Sequence, residues 1–245
     1  MRAHPLQAIT FVLFDPELDN FTYDIANLDE LGGFLATTLG LDKEMVVGYI
    51  RELEGDSAFR GELNARLRTR RDRKSVAKYG RRIGWYCIVR AMHPRVVVET
   101  GVHDGLGSSV LSQALYRNRQ EGHEGQLYGI DINPKAGWLI PERLRDHMTL
   151  LIEDSAVAVP RIAHEGPIDL FIHDSDHRYA HELKEFQTAA DGFSPDAVVL
   201  SDNAHATTAL KDYAAESDRE YAFWREIPKN HFYPGAGIGI SVRRK

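Results

Sequence analysis

The chain has 245 residues, 43% hydrophobic and 27% charged, the composition of a globular protein long enough to bury a full core, which excludes a disordered chain. A formal net charge of −6 argues against nucleic acid as the main partner, although residues 66–74 are locally very basic, as on a solvated helix face. The only cysteine, Cys87, excludes an internal disulfide and a thiolate metal cluster, and no stretch approaches the roughly 20 apolar residues of a membrane span. The start lacks the basic flank and unbroken apolar core of a secretion signal, so the expected location is the cytoplasm.

In chain order, residues 1–75 read as a mainly helical extension after an opening apolar segment, ITFVLF at 9–14. Leu28, Leu31, Leu35 and Leu39, then Met45, Val46, Tyr49 and Leu53, recur at helical spacing, with Asp42 as a cap, and predict two short helices. From 76 the pattern alternates. A helix at 78–92 leads to a strand at 95–100, a helix at 107–118, a strand at 126–131, a helix near 136–145 and a strand at 148–152. A strand at 168–173, a helix at 178–191, a strand at 197–201 and a helix at 205–216 follow, with closing strands near 221–227 and 237–243. That alternation predicts an α/β fold with a doubly wound, mostly parallel, Rossmann-like sheet over 76–245, its last strand antiparallel because no helix separates the final two.

Candidate site residues cluster at five strand ends. In VETGVHDGLGSS a buried strand hands over to a helix through Gly101, Gly105 and Gly107, which permit tight turning and close ligand approach, with Ser108 at the helix start. In LYGIDINP the second strand ends at Asp131, where a carboxylate can accept hydrogen bonds from ribose hydroxyls; the alternative is a turn residue before Asn-Pro. Asp154 and Ser155 end the next strand, where an adenine edge can be held. The strands IDLFIHDSDH and VVLSDN end in Asp174, Asp176, Asp202 and Asn203, on one rim of such a sheet. Carboxylates and an amide form a hard oxygen site suited to Mg²⁺, or to Mn²⁺ or Ca²⁺; zinc through His173 and His177, and simple helix capping by the acids, are the competing readings.

Taken with these motifs, residues 76–245 resemble class I S-adenosylmethionine-dependent methyltransferases. VETGVHDGLGSS looks like their first motif, with Glu99 at its acidic position, and GIDINP looks like their second. HDSDH followed by SDN resembles the metal-dependent O-methyltransferases of the catechol and caffeoyl-CoA type and of the macrocin and mycinamicin sugar type. The resemblance implies Asp174, Asp202 and Asn203 as ligands of a divalent cation and His177 as general base; the neighbouring Asp176 is placed to orient or bias that ring, and a metal-ligand role and a surface helix-start position are the alternatives for His177. It also implies that the cofactor's carboxylate and amine contact the glycine turn and Glu99. Histidine at 177 matches the sugar enzymes, whereas Asp-Asn matches the catechol type, since the sugar enzymes carry Glu-Asp. The expected activity is O-methylation of a small-molecule hydroxyl, on a natural product or sugar, without nucleic acid or membrane partners and with homo-oligomers open. A metal-independent N- or C-methyltransferase, an NAD-dependent oxidoreductase and a non-catalytic binding module are the alternatives. Residues before 76 are expected to cap the substrate or form a subunit contact, and His205, Trp224, His231 and Tyr233 are further candidates for acceptor contacts.

Overall fold

A computed structural model describes residues 23–71, 75–231 and 233–244. The opening segment at 9–14 and residues 72–74 of the basic run lie outside the described residues. The N-terminal helices are α1 (Leu28–Leu39), α2 (Lys43–Gly55) and α3 (Ser57–Leu67). Asp42 caps α2 as expected, its side chain accepting from Met45 N at 2.8 Å. A third helix follows almost without a break because Asp56 ends α2 and caps α3, accepting from Phe59 N at 2.9 Å.

The alternating region begins with α4 (Arg82–Met92), then β2 (Val96–Thr100), α5 (Leu106–Gln120), β3 (Gln126–Asp131), β4 (Met148–Ile152) and α6 (Ser155–Glu165). It continues through β5 (Ile168–His173), α7 (Tyr179–Ala189), β6 (Phe193–Asp202), α8 (Ala209–Glu216), β7 (Arg219–Arg225) and β9 (Gly237–Arg243). Two short strands, β1 (Asp24–Ile25) and β8 (Pro228–Lys229), pair antiparallel and tie the start of the helical region to the loop after β7. The main sheet has the order β4-β3-β2-β5-β6-β9-β7, with β9 antiparallel to both neighbours. The last strand is antiparallel, as expected, and it inserts between β6 and β7. Strand order reverses at β2 and β5, so a crevice opens beyond their carboxyl ends.

Two apolar clusters cover the sheet. On one face, Leu31, Leu35, Val46, Leu53, Phe59 and Leu63 share a single core with Trp85, Val97, Leu170 and Ile238. Helices α1 to α3 therefore pack into the same core as the sheet. On the other face, Val98, Phe171 and Val199 pack against Val159, Phe186 and Tyr213 from α6, α7 and α8. Strands covered on both faces carry continuous apolar runs, which is why β2, β5 and β6 are legible in the sequence.

Two expectations need correction. Residues 136–145 do not form a helix: Gly137 N donates to His103 O at 2.8 Å and Leu139 N to Asp104 O at 2.9 Å, so this backbone lines the glycine turn, and a 3₁₀ turn covers Glu142–His147. Helix α6 was not expected; Asp154 caps it, and Pro160 lies inside it, a residue that normally argues against a helix interior.

Candidate active site

The loop between β2 and α5 follows from its glycines. Gly101 has φ +86°, and a Cβ there would overlap the backbone carbonyl of Asp174; Gly105 has φ +96°, and a Cβ would meet Gly137 and Ile140. Only glycine reconciles these angles with that crowding. The close approach of Gly101 to Asp174 brings the glycine turn against the end of β5.

Two cavities adjoin at this junction. The larger, about 520 Å³, is bordered by Gly101, Asp131, Ile132, Asp154, Ser155 and His181, among others. The smaller, about 240 Å³, is bordered by Gly105, Gly107, Arg82, Asp174, His177 and Asn203, among others. Gly101, His103 and Asp174 border both. Asp131 is held in place by two backbone donors, His103 N at 2.7 Å and Asn133 N at 2.8 Å. Ile132, 77% exposed, presents an apolar face at the larger cavity that the sequence reading missed; an apolar residue directly after the strand-ending acid was its signal. His205, Trp224, His231 and Tyr233 border neither cavity.

Glu99 and Ser108 differ from expectation. Both are buried behind the turn, bonded to each other, and neither borders a cavity; Gly107 lies directly over the Glu99 carboxyl. The expected contact of Glu99 with a cofactor ammonium is therefore not set up. Burial first, opposed by the Ser108 hydrogen bond and Arg82, pushes the Glu99 carboxyl up to about 8. A raised carboxyl pKa contributes stability that is fully present below the unfolded value of 4.5 and is lost as pH rises through about 8. Glu99→Gln is accordingly expected to gain stability relative to wild type as pH rises across that window. Parallel denaturation curves of the two proteins at every pH would contradict it.

The ends of β5 and β6 bring Asp174, Asp202 and Asn203 together, as expected, but around two arginines from the start of α4. Arg81 binds Asp202 through both carboxylate oxygens, with Nε to Oδ1 at 2.6 Å, and donates to Asn203 Oδ1 at 3.0 Å and Glu226 Oε1 at 3.0 Å. Tyr23 also donates to Glu226 Oε1, at 2.9 Å. Arg82 Nη2 donates to Asp174 Oδ2 at 3.2 Å. Arg81, Asp202 and Glu226 are buried. Despite its burial, Asp202 is held below the usual carboxylate range by Arg81, whereas burial and the Asp202 charge raise Asp174 against the pull of Arg82.

This donor set does not fit a divalent cation. Mg²⁺ needs several oxygens about 2.1 Å away in octahedral array. Here both Asp202 oxygens, the Asn203 carbonyl and one Asp174 oxygen already accept from guanidinium groups. Among the described residues, no set of three His, Cys, Asp or Glu side chains is arranged to hold a metal. Arg81, Arg82 and Glu226 were missed by the sequence reading. The Arg-Arg pair directly before the apolar run IGWYCIV was a partial signal, since it predicts buried charge.

His177 borders the smaller cavity, and its tautomer follows from its neighbours. Because Asn203 Oδ1 accepts from Arg81, its amide nitrogen faces His177 Nε2 at 2.9 Å and donates to it. Nε2 therefore carries the lone pair. Burial and the nearby His173 push the His177 pKa down, which keeps the ring neutral. Asp176 does not orient His177; it pairs with Arg178 at the surface, Nε to Oδ2 at 2.6 Å. His173 is engaged elsewhere. Its Nδ1 lies 2.7 Å from Glu185 Oε2, which also accepts from Thr100 at 2.7 Å. Burial of Glu185 is outweighed by His173, Ser155 and Thr100, which hold it at about 2, so the carboxylate accepts and His173 Nδ1 donates.

Residues 98–204, from β2 to the end of β6, match a family described as a methyltransferase domain. Among solved structures, an O-methyltransferase from Bacillus cereus in complex with SAH aligns with TM-score 0.52 and 11% identity, covering 88% of this chain and 97% of that chain. The O-methyltransferase TomG from Streptomyces achromogenes, involved in tomaymycin synthesis and solved in complex with SAM, aligns with TM-score 0.52 and 15% identity, covering 88% and 96%. At such identities the likeness is one of fold. No curated protein matches the chain.

Proposed function

We propose that this chain is a class I S-adenosylmethionine-dependent methyltransferase, a reading supported by the methyltransferase-domain match over residues 98–204 and by the fold, and that it methylates a hydroxyl oxygen of a small molecule of the natural-product or sugar kind. The observation that carries the oxygen assignment is His177: a neutral imidazole with its Nε2 lone pair fixed, bordering a cavity that adjoins the glycine turn. The names of the two structural neighbours, both O-methyltransferases, support the same reading.

The residues fit the cofactor. The larger cavity is of nucleoside size, with Asp131 placed to accept from ribose hydroxyls, Ile132 offering an apolar face to a base, and Asp154 and Ser155 at its wall. Gly101 and Gly105 let the turn pack directly against Asp174 and Gly137, where a Cβ would collide, and so set the wall of the cavities. Bound S-adenosylmethionine supplies an electrophilic methyl group on sulfur. As the acceptor binds, its hydroxyl displaces the Asn203 amide from the single Nε2 lone pair of His177, and Nε2 then takes the hydroxyl proton, which raises the oxygen's nucleophilicity. The expected divalent cation has no step here, because its donors are committed to arginine.

The helical region shapes the smaller cavity in this reading. Arg66 donates to Trp138 O at 3.3 Å and Arg70 lies over the Trp138 ring at 4.4 Å, while Trp138 Nε1 donates to Asp104 at the cavity wall. A subunit contact through the same helices is the other proposed role. Among the described residues no helix is long and apolar enough to cross a membrane.

Calorimetric titration with S-adenosylhomocysteine tests the cofactor assignment. Asp131→Ala is expected to weaken binding about 10- to 100-fold, the loss of charge-assisted hydrogen bonds worth about 1.5–3 kcal/mol. Unchanged affinity in a folded variant would remove Asp131 from the site. A metal-independent N- or C-methyltransferase is the second reading, favoured by the arginine-filled donor set, and an acceptor screen monitored by S-adenosylhomocysteine release separates it from O-methylation.

A further inference from the structure

We propose that Arg81 and Arg82 take the place of a divalent cation in this site, so that the protein binds no metal there. This rests on the methyltransferase reading for its catalytic meaning but not for its geometry. Two guanidinium groups bring to Asp174, Asp202 and Asn203 the same +2 charge that one divalent ion would bring.

The substitution is built in. Arg81 and Arg82 open α4, whose remaining residues through Arg90 are buried, so neither arginine swings away without pulling on the core. Arg81 is locked by three acceptor residues, Asp202, Asn203 and Glu226, in a planar fork that matches carboxylate geometry. A metal ion at the trio would have to displace both guanidinium groups, leaving them buried opposite only Glu226. Arg82 borders the smaller cavity beside Asp174 and His177, and its buried Nε has no partner among the described residues. A fixed guanidinium charge thus borders the cavity that a bound divalent ion would otherwise face. The difference is chemical: a guanidinium donates hydrogen bonds and does not exchange, so its charge is independent of the metal content of the medium.

The test is a Mn²⁺ titration of EDTA-dialysed full-length protein, with bound ion read from the loss of the free-ion electron paramagnetic resonance signal. Calorimetry with S-adenosylhomocysteine on the same sample is run with and without Mg²⁺. The expected result is no stoichiometric Mn²⁺ uptake by wild type and a Kd for S-adenosylhomocysteine that does not respond to Mg²⁺. One Mn²⁺ per wild-type chain, lost in Asp202→Asn, would overturn the proposal. R81M/R82M, which frees the oxygen trio, is expected to gain Mn²⁺ binding; a folded double variant that takes up none would also overturn it. Should that variant not fold, the wild-type titration decides the matter without it. Failure to bind S-adenosylhomocysteine at all would count against the methyltransferase reading and leave the Mn²⁺ result to judge the arginines separately.

Discussion

Arg81→Met is expected to destabilise the fold by about 3–5 kcal/mol, the usual consequence of removing one partner from a buried charge network. Asp202 and Glu226 would be left fully buried with no counter-charge of comparable geometry, because Arg82 reaches Asp174 instead. Among the described residues, Glu226 would retain Tyr23 and Ala236 N as donors. The effect is read from the midpoint of urea denaturation, with a loss below about 1 kcal/mol contradicting the network's role. Adding Asp202→Asn to Arg81→Met removes one of the stranded charges and is expected to recover part of the loss. Arg178→Met, which breaks the exposed Arg178–Asp176 pair, serves as the control and is expected to leave the midpoint unchanged.

His177→Ala is expected to lower kcat by about 10²- to 10⁴-fold, the range for loss of a general base, while S-adenosylhomocysteine still binds. The expectation follows from the position of Nε2, which accepts from Asn203 on the side of Asp174, Arg82 and the glycine turn. Turnover is followed as S-adenosylhomocysteine release with an acceptor found by screening. A variant that keeps kcat but raises KM for the acceptor would make His177 a wall of the pocket and remove it from proton transfer. Asn203→Ala should reproduce part of the kcat loss through the ring's orientation alone. Asn203 sits at φ +53°, a left-handed conformation that asparagine tolerates better than most residues, so its side chain is presented from a constrained backbone.

The order of strands and the residues at their ends were legible because each depends on a local pattern. β3 and β5 span the predicted residues, since continuous apolar runs stopping at an acid or glycine mark strands covered on both faces. The glycine turn, Asp131, Asp174, His177 and Asn203 were found for the same reason and border the two adjoining cavities, whereas Asp202 is buried beneath them. Helix α6 was obscured by Pro160, and the segment 136–145 is not the expected helix because two of its donors go to backbone carbonyls of the glycine turn, more than thirty positions back in the chain.

The chemistry at the crevice was not local. Three oxygen donors read as a metal site until their partners are known, and those partners, Arg81 and Arg82, lie 121 and 92 positions away from Asp202 and Asp174. Likewise Glu99 carries the right residue type at the right motif position, yet Gly107 and Ser108 fold over it and turn it into an interior acid. The sequence by itself determined which residues sit at the strand ends, because hydrophobic runs and glycine conformations are properties of neighbours in the chain. Tertiary structure alone decided what those residues are bonded to, because a buried charge takes its partner from whatever the packing of distant elements brings within hydrogen-bond reach.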